Sequence, residues 1–181
     1  MTALPTGLKP GTYAIDPSHS TAAFIVRHAG ISKVRGSIAV TEGSITIGDD
    51  VESSTVSATL DAASVDTGSK QRDEHLVSPD FWDAAKNPTW TFVTTSVVAN
   101  GDGFDITGDL TLNGVTKPVT LATEYTGTAQ DPFGNVRVGF EATTQFSRKE
   151  FDLTWNAALE TGGVLVSDNV KIELDVSAIA A

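Results

Sequence analysis

Three histidines and a small set of arginines are the side chains in this sequence best equipped for chemistry. His19 and His28 stand nine residues apart, an odd separation that would turn them to opposite faces of one continuous strand. His75 lies far along the chain, no spacing matches a zinc site, and there is no cysteine to supply a thiolate ligand or nucleophile. No metal or other cofactor is therefore expected, and ordinary hydrogen-bonded histidines are the favoured alternative. Serine, histidine and aspartate are plentiful, but no Gly-x-Ser-x-Gly elbow exists to activate a serine. What remains is a group suited to an anion or a carbonyl. Arg72 and His75 sit three apart in Lys70-Gln-Arg-Asp-Glu-His-Leu76, a spacing that puts both on one helical face. The planar fork of Arg72 fits phosphate or carbonyl oxygens, and equally fits a structural ion pair that pins the segment. Asp73 favours the structural role, because a carboxylate would repel an anionic head group.

The elements that must carry these groups are mostly strands. Runs rich in Thr, Val and Ile, bounded by Gly, Asn and Asp, predict strands near Thr12–Asp16, Thr21–His28, Val34–Ile47 and Thr55–Ala62. Others follow near Thr89–Val98, Phe104–Leu112, Val119–Thr128, Val136–Phe146 and Val170–Val176. Asn113-Gly114 signals a tight hairpin, and Asn100–Gly103 and Asp131–Gly134 mark further turns. The one clear helical interruption is residues 69–85, with Ser78 as N-cap, Pro79 at the first helical position and Phe81 and Trp82 just beyond; residues 148–152 form a second, weaker candidate. Alternation places Ala22, Phe24 and Val26 on one face and Ile25 and Arg27 on the other; Trp90 and Phe92 likewise share a face.

About eight long antiparallel strands predict an all-β, closed barrel, just wide enough for one small ligand if the inner side chains leave room. The competing architecture is an immunoglobulin-like sandwich, which the strand lengths and the helical crossing disfavour. Residues 1–10, with two prolines and a glycine, read as a flexible lead-in to a single domain over 11–181. Twelve basic against 23 acidic residues give a net charge of −11, which disfavours nucleic acid and anionic surfaces as partners. With no apolar leader or spanning run, the sequence reads as cytoplasmic, without an integral membrane segment, and compatible with a homodimer.

A family resemblance rests on motifs in order along the chain. They begin with Tyr13-Ala-Ile-Asp-Pro-Ser-His-Ser20, Phe24-Ile-Val-Arg-His28 and Val34-Arg-Gly36. Ser64-Val-Asp-Thr-Gly68, Arg72–Leu76 with Phe81, Asn87-Pro88 with Phe92, and Gly108–Val119 continue the pattern. Asp131, Gly134, Arg137, Gly139-Phe140 and Phe146-Ser-Arg148 complete it. Together they resemble the YceI-like family over residues 11–177. The resemblance implies a lipocalin-like, extended antiparallel barrel that binds a long apolar chain such as a polyisoprenoid, an isoprenoid quinone or a fatty amide. Many relatives are exported to the periplasm. Relatives also show Arg-x-Asp/Glu-Phe-Gly, whereas Ser147-Arg-Lys-Glu-Phe151 is followed here by Asp152 and Leu153.

The expected function is thus non-enzymatic carriage or sequestration of an apolar lipid. Its lining would include Phe24, Val26, Trp90, Phe92, Phe140 and Phe146, with a mouth near His28, Arg72, His75, Phe81, Trp82 and Arg148. Two alternatives stand beside it: an enzyme acting on an isoprenoid or quinone head group, and a sealed β-scaffold for protein interaction.

Overall fold

Alternating apolar and polar side chains need a closed or covered sheet to bury one face, and here the sheet closes on itself. The computed structural model describes residues 1–159 and 163–181. The strands are β1 (Gly11–Ile15), β2 (Thr21–His28), β3 (Ser32–Ile38), β4 (Val40–Ile47), β5 (Thr55–Asp61) and β6 (Thr89–Asn100). They continue with β7 (Gly103–Leu112), β8 (Val115–Gln130), β9 (Val136–Ser147) and β10 (Asn169–Ala180), and the helix α1 spans Lys70–Leu76. Pairing runs β1-β4-β5-β6-β7-β8-β9-β10, all antiparallel, and β10 returns to β1 through Tyr13↔Ala180 and Ile15↔Ala178. Closure rules out the sandwich.

Ten segments make only eight staves. β2 continues β1 after a single 3-10 turn at Pro17–His19, and both halves pair with β10. β3 and β4 are likewise one stave broken at Ala39, where a single strand over Val34–Ile47 was expected. The break has a local cause. The Ala39 amide donates to Ser64 Oγ at 2.7 Å and so leaves the ladder, while its carbonyl accepts from the Asp61 amide at 3.0 Å in the register of β4 and β5.

Two further expectations change. Residues 1–10 were expected as a flexible lead-in; in the structure Leu8 is buried and Leu4 packs against Val51, Val97 and Phe104. Thr2 fixes this segment outward by donating from its amide and hydroxyl to Glu52, at 2.8 and 2.6 Å. The helix, moreover, ends at Leu76 and does not extend through residue 83. Its N-cap is Ser69, whose Oγ accepts from the Arg72 amide. Ser78 works both ways: its Oγ accepts from the Asp80 amide at 3.3 Å, as a cap would, but its hydroxyl also donates to the His75 carbonyl at 2.5 Å and so closes α1. Ser78–Asp83 are successive turns, with the amides of Phe81 and Asp83 both donating to the Ser78 carbonyl. Residues Arg148–Phe151 form a short 3-10 turn.

Two glycines keep the lumen open. Gly36 faces Phe24 across the β2–β3 ladder, and a Cβ there would stand 2.2 Å from the Phe24 ring. Gly108 plays the same part for Phe92, with 2.4 Å to its ring. Each ring lies over a missing side chain on the neighbouring strand, and so hugs the wall.

Candidate functional site

Inside the barrel are two chambers, stacked end to end. The lower one, about 180 Å³, runs between the floor made by Leu4 and Leu8 and the mid-height ring of Phe24, Trp90, Phe146 and Ile172. Its walls come from the inward positions of regular strands, including Ile45, Ile47, Val97, Phe104, Phe92, Phe140 and Ala142. Thr and Ser hydroxyls and the indole N–H of Trp90, buried without a partner among the described residues, are the polar side-chain groups in that lining, and no charged side chain appears among the described residues. Burying apolar atoms is the main thing this chamber can do for a ligand.

The upper chamber, about 190 Å³, shares that same ring of four residues as its floor. Above it the lining changes in kind. Val26, Phe81, Trp82, Leu153 and Trp155 supply apolar surface, and Arg27, His28, Arg72, His75 and Arg148 supply positive or ionisable nitrogen. No carboxylate lines it among the described residues. Arg27, His28 and Arg72 are exposed as well as lining, so the chamber meets solvent between α1 and the β2–β3 hairpin.

Each group is held by an identifiable device. Arg72 directs Nε to Thr67 Oγ1 and Nη2 to the Thr67 carbonyl, both at 2.8 Å, while Thr67 Oγ1 donates to Asp73 Oδ1 at 2.6 Å. The pin expected of Arg72 and Asp73 therefore runs through Thr67, in the loop before the helix. That loop is tied in turn to β3 by the Asp66–Ser37 bridge. The second guanidinium edge of Arg72 stays available to the chamber. His75 Nε2 lies 2.9 Å from Asp80 Oδ2, and its ring sits edge-on to Phe81 and Trp155 at 5.1 and 4.7 Å. Trp82 donates Nε1 to the Ala62 carbonyl at 2.9 Å and meets Trp90 edge-to-face at 5.2 Å.

Arg148 differs from the other cations. It is 4 % exposed and bonds carbonyls only: Nε to Ser167 at 2.9 Å, Nη1 to Leu153 at 2.9 Å and Trp155 at 3.2 Å, and Nη2 to Val166 at 3.4 Å. Burial lowers its proton affinity, opposed by the nearby Asp168 charge. Four of its five donors are committed, so it clamps residues 153–155 and 166–167 into a wall of the chamber.

All twelve side chains singled out from the sequence line one chamber or both. Phe24, Trp90 and Phe146 lie between the two, Phe92 and Phe140 line the lower, and Val26, His28, Arg72, His75, Phe81, Trp82 and Arg148 line the upper. Ile25 lines neither, in keeping with its parity, although it is buried, whereas Arg27, expected on the same outer face, lines the upper chamber at the end of β2. Sequence reasoning missed Leu4, Leu8, Leu153 and Trp155. Trp155 lies in a stretch with no strand alternation and no helical period, so nothing marked its direction. Among the described residues no cluster of His, Asp and Glu is placed to hold a metal, and no helix is long and apolar enough to cross a membrane.

Against known proteins, residues 13–178 match the model of the YceI-like domain. The chain belongs to the YceI-like family. A UPF0312 protein of Ectopseudomonas mendocina is 46% identical over 146 residues, 78% of this chain and 76% of that protein. Protein YceI of Escherichia coli O157:H7 is 43% identical over 144 residues, 78% of this chain and 75% of the relative. Among solved structures, a YceI protein of Campylobacter jejuni superposes with a TM-score of 0.69 at 29% identity, over 86% of this chain and 90% of that one. BcnA of Burkholderia cenocepacia shares the fold with a TM-score of 0.76 at 20% identity, over 90% and 98% of the two chains. So does a Saccharophagus degradans domain described as polyisoprenoid-binding, at 0.61 and 16%, over 96% and 100%.

Asp152, which follows Phe151, adopts φ 57°. That left-handed conformation suits glycine best and is tolerated by aspartate. Phe151 is fully buried, and the Asn113 side-chain amide donates to its carbonyl at 3.0 Å.

Proposed function

We propose that this protein is a non-enzymatic carrier of a long apolar lipid with an anionic or carbonyl-bearing head. The tail fills the lower chamber and the head rests in the upper one. The observation that carries this reading is the change of lining at the ring of Phe24, Trp90, Phe146 and Ile172: among the described residues it is uncharged below, and basic and without carboxylate above. Tail burial supplies affinity, since ten methylenes removed from water gain ~8 kcal/mol before ordering costs. Arg72, with one guanidinium edge uncommitted, then selects the head. The polyisoprenoid-binding description of the Saccharophagus degradans domain agrees with a prenyl tail. The chambers speak against a sealed scaffold.

Protein purified from its native host and extracted with organic solvent should yield a chain lipid by mass spectrometry, at near-stoichiometric amount. A clean extract, joined to no binding of prenyl phosphates, quinones or fatty amides in vitro, would sink the carrier reading. The enzyme alternative keeps one supporting observation: His75 lines the upper chamber and pairs with Asp80 behind it, an arrangement suited to acid–base chemistry. Recovery of an added lipid with unchanged mass after prolonged incubation speaks against it, and a converted product establishes it.

A further inference from the structure

The hairpin joining β2 to β3 stands beside the mouth of the upper chamber and differs from the rest of the surface in charge. In a chain of net charge −11, no Asp or Glu occurs between Asp16 and Glu42. Arg27, Lys33 and Arg35 are all exposed on this hairpin. At its apex, Ala29 and Gly30 take φ of 53° and 73°, and the Ile31 amide donates to the His28 carbonyl at 3.2 Å. That tight turn leaves Ile31 83% exposed, with nothing of the barrel to cover it. The hairpin is stitched to the other rim of the mouth: the Ala29 amide donates to the Leu165 carbonyl at 2.7 Å and His28 bridges Val166. Val164, on that same rim, is 51% exposed.

We propose that this hairpin tip docks the protein on an anionic phospholipid bilayer, so that the chamber mouth faces the membrane. One apolar apex ringed by cations is too small for a stable protein interface, which needs roughly 800 Å² per partner. A bilayer needs no such area: the apex enters the acyl boundary while the basic side chains meet the head groups. The overall negative charge does not forbid this. Asp49, Asp50, Glu52 and Asp102 occupy turns at the opposite end of the barrel, and screening at physiological salt acts over about 8 Å; of the carboxylates nearer the mouth, Asp80 pairs with His75 and Glu173 with Arg35 and Lys171, while Glu74 stands exposed on α1. Loading and release of a lipid would then occur without exposing its tail to water.

The proposal rests on the carrier reading for its purpose only, since docking needs no cargo. The test is flotation of the full chain with vesicles of phosphatidylcholine alone or with one quarter phosphatidylglycerol. Binding is expected only with phosphatidylglycerol, and it should vanish in high salt. Ile31→Asp should weaken it by about tenfold or more. Lys33→Gln with Arg35→Gln should weaken it by about twenty-five-fold, at roughly fivefold per charge. Phe133→Asp, on the exposed hairpin tip at the far end, should change nothing. Melting temperature and binding of a lipid in detergent solution should be unchanged in Ile31→Asp, while transfer of that lipid from vesicles slows. Absence of phosphatidylglycerol-dependent binding, or an Ile31→Asp variant that floats like the native chain, overturns the proposal. Vesicle docking by a protein that binds no lipid in detergent would leave the docking standing and defeat the carrier.

Discussion

The two chambers are nearly equal in size and are made by opposite means. The lower is mostly a product of regular strands, whose inward positions at period two give a largely apolar wall, closed below by Leu4 and Leu8. The upper is built from what interrupts the strands: a seven-residue helix, the turns of Ser78–Asp83, and a segment held by Arg148 through backbone carbonyls. Regular structure can supply burial but not discrimination, because every inward position of a barrel strand sees the same kind of neighbour. Selectivity needs polar groups placed singly, and irregular backbone places them.

The sharpest way to break this division is to fill the lower chamber. Ala142→Trp should cost a prenyl tail about four methylenes of burial, ~3 kcal/mol or roughly 100-fold in affinity, by titration calorimetry or fluorescence. Glu141→Trp, one residue away on the exposed face, should leave affinity unchanged. Equal sensitivity would mean the tail does not lie there.

At the upper chamber, Arg72→Gln should weaken a prenyl pyrophosphate by ~1–3 kcal/mol and an uncharged prenyl chain of equal length far less. Because Arg72 also holds Thr67, the melting temperature must be followed in parallel. Equal loss for both ligands with a lowered melting point would make Arg72 part of the scaffold alone.

Acid should act first on the lower end. Arg137 joins Asp16 at 2.8 Å to Asp131 at 2.9 Å, fastening the β8–β9 hairpin to the bend between β1 and β2. For Asp131 burial pushes the pKa up, but Arg137 and the amides of Asn135 and Phe133 prevail and leave it at about 2. Arg137, then Ser18, hold Asp16 well below the carboxylate range. Both groups are depressed in the folded state, so their stabilisation is full above the unfolded value near 4 and is lost as pH falls through about 2. Melting curves between about pH 5 and pH 2 should show this decline, and Arg137→Met should flatten it.

The smallest effect belongs to the turn after β9. Asp152→Gly should raise stability by ~0.5–1 kcal/mol in denaturant unfolding, without touching affinity, because a left-handed residue loses its Cβ strain.

How much of this was legible depended on whether the cause was local. Strand β2 carries its bounds, Thr21–His28, in its own alternation, and Asn113-Gly114 names its turn because both residues must go left-handed. The break at Ala39 was hidden, since its partners Asp61 and Ser64 lie more than twenty residues on. Ser78 misled for a related reason: a hydroxyl before Pro79 fits a helix start, and only the position of the His75 carbonyl turned it into a stop. The apolar ring of aromatics was visible by period two, whereas the basic lining of the upper chamber draws on three separate segments: β2, α1 and the turn at Arg148. Trp155 and Leu153 lie in backbone without a period, so no pattern could point them inward.

The seam between β1 and β10 has a consequence in time. Tyr13 pairs with Ala180, and the Ala181 amide donates to the Thr12 carbonyl at 2.9 Å, so the first strand waits for the last. A ribosome releases residues from the N-terminus onward, and until β10 emerges the sheet is an open, curling surface with its apolar face bare. Such long-range closure belongs to the slow class of folding reactions, milliseconds to seconds. During that interval a hydrophobic chain could be wrapped by the sheet as it shuts, with no need to enter through a mouth.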